Sequence, residues 1–416
     1  MAIERLKNVL APDKGLVSAD GRPPESLYWP QLDGLRALAF LLVFMEHQSP
    51  IPITPQMAAI PGLPPVIALI YQAMRWGWLG VDLFFVLSAF LITTLLLQER
   101  ERFGTLSFSR FFIRRALRIW PLYFATLVLG FAVLPALQYY EFPWGSPEWK
   151  SMISSYLPAY LIFLGNLKQA VVQPAPLSFL LAISWSVAME EQFYVVWGLI
   201  LKCCLRPAVL GWLITLGFPA TLGLRWLIYL QTHHQRAFYF NTFTHLDPIL
   251  IGAGLALLIQ SGKLGPAQLK RWGPALMATP LALFGLLVLL APPLEQSHGS
   301  MVFILSLIAL GAGMFLLALL YWEPAKRLFS HPLLVWLGQL SFGLYLLHPL
   351  GKDLGRLLTM SVFEANLSAH LLFAWGFYLM SSLLATILLA WLSWHLLEKH
   401  CNRLRKHFMR VPSGTP

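Results

Sequence analysis

The chain is a succession of long apolar runs separated by short polar loops. Hydrophobic residues make up 57% of its 416 residues and charged residues only 12%, which is far from the average of soluble globular domains. A helix that spans a bilayer needs about twenty predominantly apolar residues, and many of these runs are that long. The sequence therefore predicts an all-α, polytopic membrane protein.

The basic residues between the runs predict how the chain is threaded through the membrane, because Lys and Arg are enriched in cytoplasmic loops. The apolar piece at 156–164 is too short to cross. If it crossed, every later loop would invert; if it is re-entrant or interfacial, most basic loops fall on one side. The second choice predicts about ten transmembrane helices with both termini cytoplasmic, at about 32–47, 76–97, 119–137, 181–201, 208–229, 245–260, 273–291, 300–321, 333–350 and 370–396.

No long polar linker interrupts the runs, so a single membrane domain is expected over residues 31–397. A cytoplasmic N-terminal tail at 1–30 and a basic cytoplasmic C-terminal tail at 398–416 would flank it. The net charge of +11 is spread over the loops, where it orients spans, so no nucleic-acid partner is expected. The three cysteines lack metal-ligand spacing, and no metal site is predicted.

The first span, LDGLRALAFLLVFMEH, carries a cation near one end and an imidazole near the other. Arg36 and His47 are eleven residues apart, so on a helix they lie within about 20° of each other and about 16 Å apart. Ionisable groups inside a bilayer are costly and are candidates for function. The alternative is that both residues snorkel to the two interfaces.

Other polar residues are predicted at the same depth as His47. Asp82 lies near the outer end of the second span, Glu190 and Glu191 lie in the outer half of the fourth, and His348 lies at the outer end of the ninth. A common polar cavity would explain them, and a carboxylate beside a histidine is what proton transfer requires. Adjacent helical residues point about 100° apart, so only one glutamate should face the site, and Glu191 is the one we favour.

A cluster of arginines precedes the third span on the predicted cytoplasmic side. Arg114, Arg115 and Arg118 begin a helical segment that ends in WPLY. Clustered guanidiniums suit a phosphorylated ligand. Alternatively, they only orient the third span.

Taken in order over roughly residues 31–400, these stretches resemble the successive motifs of acyltransferase family 3. This is a family of integral membrane O-acyltransferases that includes O-antigen, exopolysaccharide and macrolide acylases. The matching stretches are LDGLRALAFLLVFMEH, GVDLFFVLSAFLIT, RRALRIWPLYF, SWSVAMEEQFYVVW, LGQLSFGLYLLHP and the terminal Glu398. The chain departs from the family pattern at Glu46, Ala89 and His245.

The resemblance implies a ten-span bundle in the bacterial plasma membrane. Such a protein takes an acyl group, most simply acetyl, from cytoplasmic acyl-CoA and passes it to a hydroxyl of a sugar or glycolipid acceptor at the outer side. It implies no bound cofactor, since acyl-CoA is a co-substrate. The family's Arg-ten residues-His motif falls on Arg36 and His47, with the histidine as the catalytic group.

The remaining site residues take roles that follow from this mapping. His47 would act as general base, or would itself be acylated in a relay. Glu191 or Asp82 would hold its tautomer or bind the sugar, and Arg36 would steady the pantetheine arm or the thiolate. Substrate binding is assigned to Arg115 and Arg118, which would hold the phosphates, and to Trp185, Glu190, Tyr345 and His348, of which the last two would line the outer mouth.

Two other classes of protein stay open on the sequence alone. A transporter or flippase of a lipid-linked saccharide would also need an outer polar cavity. A non-catalytic membrane sensor or scaffold would not explain why histidines and carboxylates share one depth.

Overall fold

The computed structural model describes residues 28–48, 65–138, 144–172, 178–204, 206–290, 298–363 and 371–408. All regular structure within these residues is helical, which confirms the all-α prediction. Most of the predicted N-terminal tail and residues 409–416 of the predicted C-terminal tail lie outside the described residues.

The longer helices are labelled here in chain order. They are α1 (Pro30–His47), α2 (Pro65–Arg75), α3 (Leu79–Phe103), α4 (Phe108–Val128), α5 (Pro147–Leu161), α6 (Gly165–Val171), α7 (Trp185–Cys203), α8 (Pro207–Thr232), α9 (Asp247–Gln260), α10 (Pro266–Leu290), α11 (His298–Tyr321), α12 (Glu323–Phe329), α13 (Pro332–Gln339), α14 (Ser341–Phe363), α15 (Leu371–Ser393) and α16 (Lys399–Arg405). Shorter helices are Leu134–Ala136, Phe179–Ala182, Gln235–Tyr239, Thr242–Thr244 and Lys406–Phe408, and π-helical turns are Leu129–Val133 and Trp394–Glu398.

Six of the described helices are long and apolar enough to cross a membrane: α3, α4 with its extension, α8, α10, α11 and α15 with its continuation. The pair α13 and α14, bent by 76°, counts as a seventh if it is one span. These helices make the chain a multi-pass membrane protein. Three of the ten predicted spans fail this test, because α1 and α7 each carry three charged residues and α9 has only 14 residues. The count of ten therefore stays a prediction.

The piece predicted not to cross contains the end of α5 and a sharp turn. The helix α5 has 15 residues, or about 22 Å, which is less than the roughly 30 Å of hydrocarbon in a bilayer. Phe163 follows with a positive φ of 58°, and the seven-residue α6 begins two residues later.

Two predicted boundaries differ from the observed helices. The third span was predicted from residue 119, but α4 begins at Phe108 and includes the helical segment that carries the arginines. The segment predicted as a tail from residue 398 is helical through Phe408 and packs against α4. A hydrogen bond from Arg114 Nη1 to the Phe408 carbonyl oxygen, 2.7 Å long, joins the two.

The first helix lies at the centre of the bundle. One of its faces packs with α3, α11 and α12 through Leu32, Leu35 and Ala39. Another packs with α13, α14 and α15 through Phe40 and Phe44. A helix that is apolar on all sides belongs in an interior. The centre of the bundle therefore carries Arg36 and His47 at its two ends.

Glycine allows α13 to lie directly on α1. A Cβ at Gly338 would lie 1.9 Å from the Asp33 carbonyl oxygen, which no side chain can tolerate. This contact holds the first turn of α1 against the end of α13, next to the bend between α13 and α14.

We expect Gly338→Ala to destabilise the protein by about 1–3 kcal/mol, because α13 must move away from α1 to admit the methyl group. Thermal unfolding in detergent measures the change. Gly376→Ala on α15 is the matched control, since nothing lies within 4 Å of a Cβ there and alanine favours a helix. Equal melting temperatures for the two variants would contradict the close packing of α13 on α1.

Candidate active site

A line of hydrogen bonds begins where a proline interrupts the bonding of α14. Pro349 lies inside that helix and has no N–H, so the Tyr345 carbonyl oxygen lacks its helical donor four residues on. The Nδ1 atom of His348 lies 2.6 Å from that oxygen, and its Nε2 atom lies 2.9 Å from Nδ1 of His47. The sequence motif LLHP thus places one histidine against the other.

The direction of this line assigns the tautomer of His47. A carbonyl oxygen can only accept, so Nδ1 of His348 carries the hydrogen and the Nε2 of the neutral ring accepts. The Nδ1 of His47 must then donate to His348. In the neutral state, His47 therefore has its lone pair on Nε2.

A carboxylate already lies at that nitrogen. Oε2 of Glu46 is 2.9 Å from Nε2 of His47, and the two side chains are 28% and 22% exposed. With Glu46 ionised, a hydrogen bond forms between these two atoms only when His47 is the imidazolium, and both side chains remain open to the adjacent cavity. The residue that departs from the family pattern is thus the acidic partner of the predicted catalytic histidine.

The cavity beside His47 has a volume of about 570 Å³ and is called the histidine chamber here. It is formed by α1, α2, α6 and the connections around α7 and Gln235–Tyr239. Its polar and aromatic lining residues are Glu46, His47, Tyr71, Arg75, Trp78, Gln169, Phe179, Trp185, Gln235, Arg236, Tyr239, Phe240 and Tyr345.

A second cavity, of about 160 Å³, lies around the N-terminal end of α1 and is called the arginine chamber. Four guanidiniums and two carboxylates line it, from Arg36, Arg115, Arg118, Arg405, Asp33 and Glu190. Arg36 forms an ion pair with Asp33 one turn away. Within the described part of the chain, neither Arg115 nor Arg118 forms an ion pair, so this chamber holds an excess of positive charge.

The two adjacent glutamates point to different places, as their helical spacing requires. Glu190 lines the arginine chamber and accepts a 2.6 Å hydrogen bond from the Tyr194 hydroxyl, and Arg115 lies over the Tyr194 ring. Glu191 instead accepts from the Trp120 indole at 3.1 Å and lines neither chamber. Of the two, Glu190 is the one that lines a chamber, because the packing of α7 sets its rotation, and a catalytic role of Glu191 stays a prediction.

A tyrosine separates the two chambers. Tyr345 and Val81 line both of them, and the Tyr345 hydroxyl is hydrogen-bonded to Ser186 Oγ at 2.8 Å and to the Ile183 carbonyl oxygen at 3.0 Å. Tyr345 was expected to line an outer mouth; in the structure it lies between the two cavities. His348 is fully buried.

Asp82 does not meet His47. Its Oδ1 lies 3.0 Å from Nε2 of His245, whose Nδ1 lies 2.9 Å from the Tyr239 carbonyl oxygen. Asp82 and His245 are both fully buried, and the ring of Trp185 stacks on that of His245. Asp82 faces a different histidine, so its contacts support a positioning role beneath Trp185.

Sequence reasoning missed several residues of the two chambers. Arg405 was assigned to a tail, and Gln169 and Arg236 were not singled out. Glu46 was noticed only as a departure from the family pattern, although its position beside His47 at a helix end was the available signal. Among the described residues, no group of three or more His, Cys, Asp or Glu side chains converges as metal ligands would.

The fold and the two chambers define a multi-pass membrane protein with a polar interior built around a histidine pair. Residues 29–395 match the family model described as "Acyltransferase domain", and the chain belongs to this acyltransferase family. The resemblance seen in the motifs is thereby confirmed.

Relatives with assigned names are O-acetyltransferases. A protein of Staphylococcus aureus strain MSSA476 named "Putative O-acetyltransferase" is 29% identical over 343 residues, which cover 77% of this chain and 50% of the relative. Peptidoglycan O-acetyltransferase OatA of Listeria monocytogenes is 26% identical over 337 residues, covering 77% and 49%. The chain thus spans about half the length of these relatives. No solved structure matches it.

We expect Asp82→Ala to lower the melting temperature by several degrees, because it leaves the buried Nε2 of His245 without its partner, a loss of about 1–3 kcal/mol. Asp82→Asn is the matched control, since its amide can still hydrogen-bond that nitrogen. A variant Asp82→Ala that unfolds like the wild type while losing acyl transfer would show that Asp82 acts on substrate instead.

Proposed function

We propose that the chain is a membrane O-acyltransferase. It moves an acyl group, most simply acetyl, from cytoplasmic acyl-CoA to a hydroxyl of a sugar or glycolipid acceptor at the outer side of the bacterial plasma membrane. One arrangement supports this most directly: a chamber rich in positive charge and a chamber that contains His47 lie on either side of Tyr345.

The proposed topology has ten spans with both termini cytoplasmic. It adds α1, α7 and α9 to the seven spans accepted by length and composition. In this topology the membrane domain is 31–397, the N-terminal tail is 1–30, and the basic segment from 398 is cytoplasmic. The arginine chamber then faces the cytoplasm, where acyl-CoA is made, and the histidine chamber faces outward.

The arginine chamber is proposed to hold the acyl donor. Arg115 and Arg118 lack carboxylate partners among the described residues, so they can bind phosphate oxygens through charge-assisted hydrogen bonds. Arg36 lies about 16 Å from His47 along α1. We therefore propose that Arg36 binds a part of the donor that is far from the reacting thioester, and that it does not contact the developing thiolate.

His47 is proposed to act as general base through Nε2. The acceptor hydroxyl gives its proton to this nitrogen while its oxygen forms a bond to the acyl carbon and the carbon–sulfur bond breaks. The imidazolium then gives the proton to the thiolate of CoA, which leaves as the thiol. Glu46 faces the same nitrogen and would stabilise the imidazolium between these two transfers.

The histidine chamber is proposed to hold the acceptor. Its volume of about 570 Å³, its aromatic rings and its polar groups suit a sugar, with Trp185 on one wall and Arg236 and Gln169 among the polar residues. A glycan acceptor also agrees with the name of the Listeria relative, a peptidoglycan O-acetyltransferase.

A relay through acyl-His47 would use the same nitrogen as nucleophile. The two mechanisms differ in one measurable intermediate. Incubation with radiolabelled acetyl-CoA without acceptor, followed by rapid quenching and mass spectrometry of the peptide that contains His47, would detect an acetylated imidazole only for the relay.

We expect His47→Ala to reduce acyl transfer by about 10²–10⁴-fold, which is the usual contribution of a well-placed general base. Membranes or purified protein are incubated with radiolabelled acetyl-CoA and candidate glycans, and the products are identified by mass spectrometry. His233→Ala, in an exposed loop, is the matched control. Retained turnover would discard the assignment of His47, and saccharide flux without any acetylated product would support a flippase.

We expect Pro349→Ala to lower kcat by about three- to tenfold while raising the melting temperature. The new N–H competes with His348 for the Tyr345 carbonyl oxygen, which weakens the bond that orients His47 by about 0.5–1.5 kcal/mol, while the helix gains a normal donor. Pro219→Ala in the interior of α8, remote from both chambers, is the matched control and should raise stability alone. An unchanged kcat in Pro349→Ala would contradict the orienting role of the proline.

A further inference from the structure

A groove beyond the arginine chamber has no role in the mechanism above. It has a volume of about 350 Å³ and lies between α13 and the C-terminal end of α15 with its continuation into α16. We call it the tryptophan groove; its chief lining residues are Trp336, Trp391, Trp394, Lys399, Arg403 and Lys406.

The tryptophan groove lies next to the arginine chamber, with a small pocket between them. A small connecting pocket shares Arg36, Arg118 and Arg405 with the chamber. The same pocket shares Gln339, Trp394, Asn402 and Arg405 with the groove. Arg405 therefore lines all three cavities, which follow one another from Tyr345 to the C-terminal helices.

The chemistry of the groove is specific. Its lining residues include three indoles and four basic side chains, and none of them is a carboxylate. Indole faces stack on planar rings, and Lys and Arg side chains bind phosphate. Tryptophans of an interfacial belt would explain the indoles but not a basic cavity beside the arginine chamber.

The length of the donor places its far end in this groove. A thioester that reaches His47 lies about 16 Å from Arg36, at the near end of the arginine chamber. The pantetheine arm fills that distance, so the nucleotide must lie at or beyond the arginines. An adenine ring and its phosphate require the aromatic and cationic surfaces that the groove supplies.

We propose that the tryptophan groove binds the adenosine 3′-phosphate end of acyl-CoA, while Arg36, Arg115 and Arg118 hold the diphosphate. This inference rests on the proposed function. The indoles stack on the adenine, and Arg403 and Lys406 bind the 3′-phosphate.

The test compares two donors in purified protein reconstituted in vesicles. Acetyl-CoA carries the nucleotide, and acetyl-pantetheine lacks it. The double variant Arg403→Gln/Lys406→Gln should raise KM for acetyl-CoA about tenfold or more, leave kcat unchanged, and leave KM for acetyl-pantetheine unchanged. Trp391→Ala should act in the same direction. The double variant Lys270→Gln/Arg271→Gln is the matched control, because this exposed basic pair lines none of the three cavities.

Three outcomes would overturn the inference: unchanged KM for acetyl-CoA, equal changes for both donors, or a change seen only in vesicles that contain phosphatidylglycerol and not in pure phosphatidylcholine. The last would identify the groove as a site for anionic lipid headgroups.

A direct binding measurement separates this inference from the proposed function. If the wild type transfers acetyl from neither donor, the proposed function fails. Calorimetric titration with adenosine 3′,5′-bisphosphate then tests whether the groove binds the nucleotide. Binding to the wild type that is lost in Arg403→Gln/Lys406→Gln would support the inference, and no binding to the wild type would reject it.

Discussion

The hydrogen bond between His348 and His47 sets the arrangement of the whole site. It requires α1 and α14 to bring two ring nitrogens within 2.9 Å of each other, one of them on the fully buried His348. The direction of the bond comes from a single backbone carbonyl, which a proline leaves without a helical donor. Because His348 is fully buried, its Nε2 atom needs a partner inside the bundle, and His47 is the residue that the structure places there.

The helices that carry the site are the least typical spans of the chain. The charged residues of α1 and α7 exclude both from the length and composition test. The interior tolerates these groups because they have partners: Asp33 pairs with Arg36, and Glu190 accepts from Tyr194. Arg225 and Asp247, both fully buried, form a further ion pair that ties α8 to α9. Buried polar groups therefore lie where helices meet, and the two chambers lie where some of these polar groups have no partner on a neighbouring helix within the described residues.

The residue types of the candidate site were predictable from the sequence, but the directions of their side chains were not. The residue types and their approximate heights follow from sequence position and helical rise, which is why His47 and His348 could be expected near each other. Helix rotation does not follow from sequence position. As a result of the observed rotations, Glu191 contacts Trp120, Glu190 lines the arginine chamber and Asp82 contacts His245. The contact of Glu46 with His47 depends on a side-chain conformation at the end of α1, which the periodic pattern of apolar residues does not predict.

The sequence by itself determined that the chain is helical and lies in a membrane, because the backbone polar groups of long apolar runs must be paired within the same segment. It also determined that the chain belongs to an acyltransferase family, because the motifs of that family occur in order. It also determined which residues could do chemistry. Only the tertiary structure decided which of them share a cavity. It places Tyr345 between the two chambers, and it places Arg405, which was predicted to lie in a tail, in the lining of the arginine chamber. Contacts between distant helices depend on packing over the whole bundle, and local sequence carries no record of how each helix is turned.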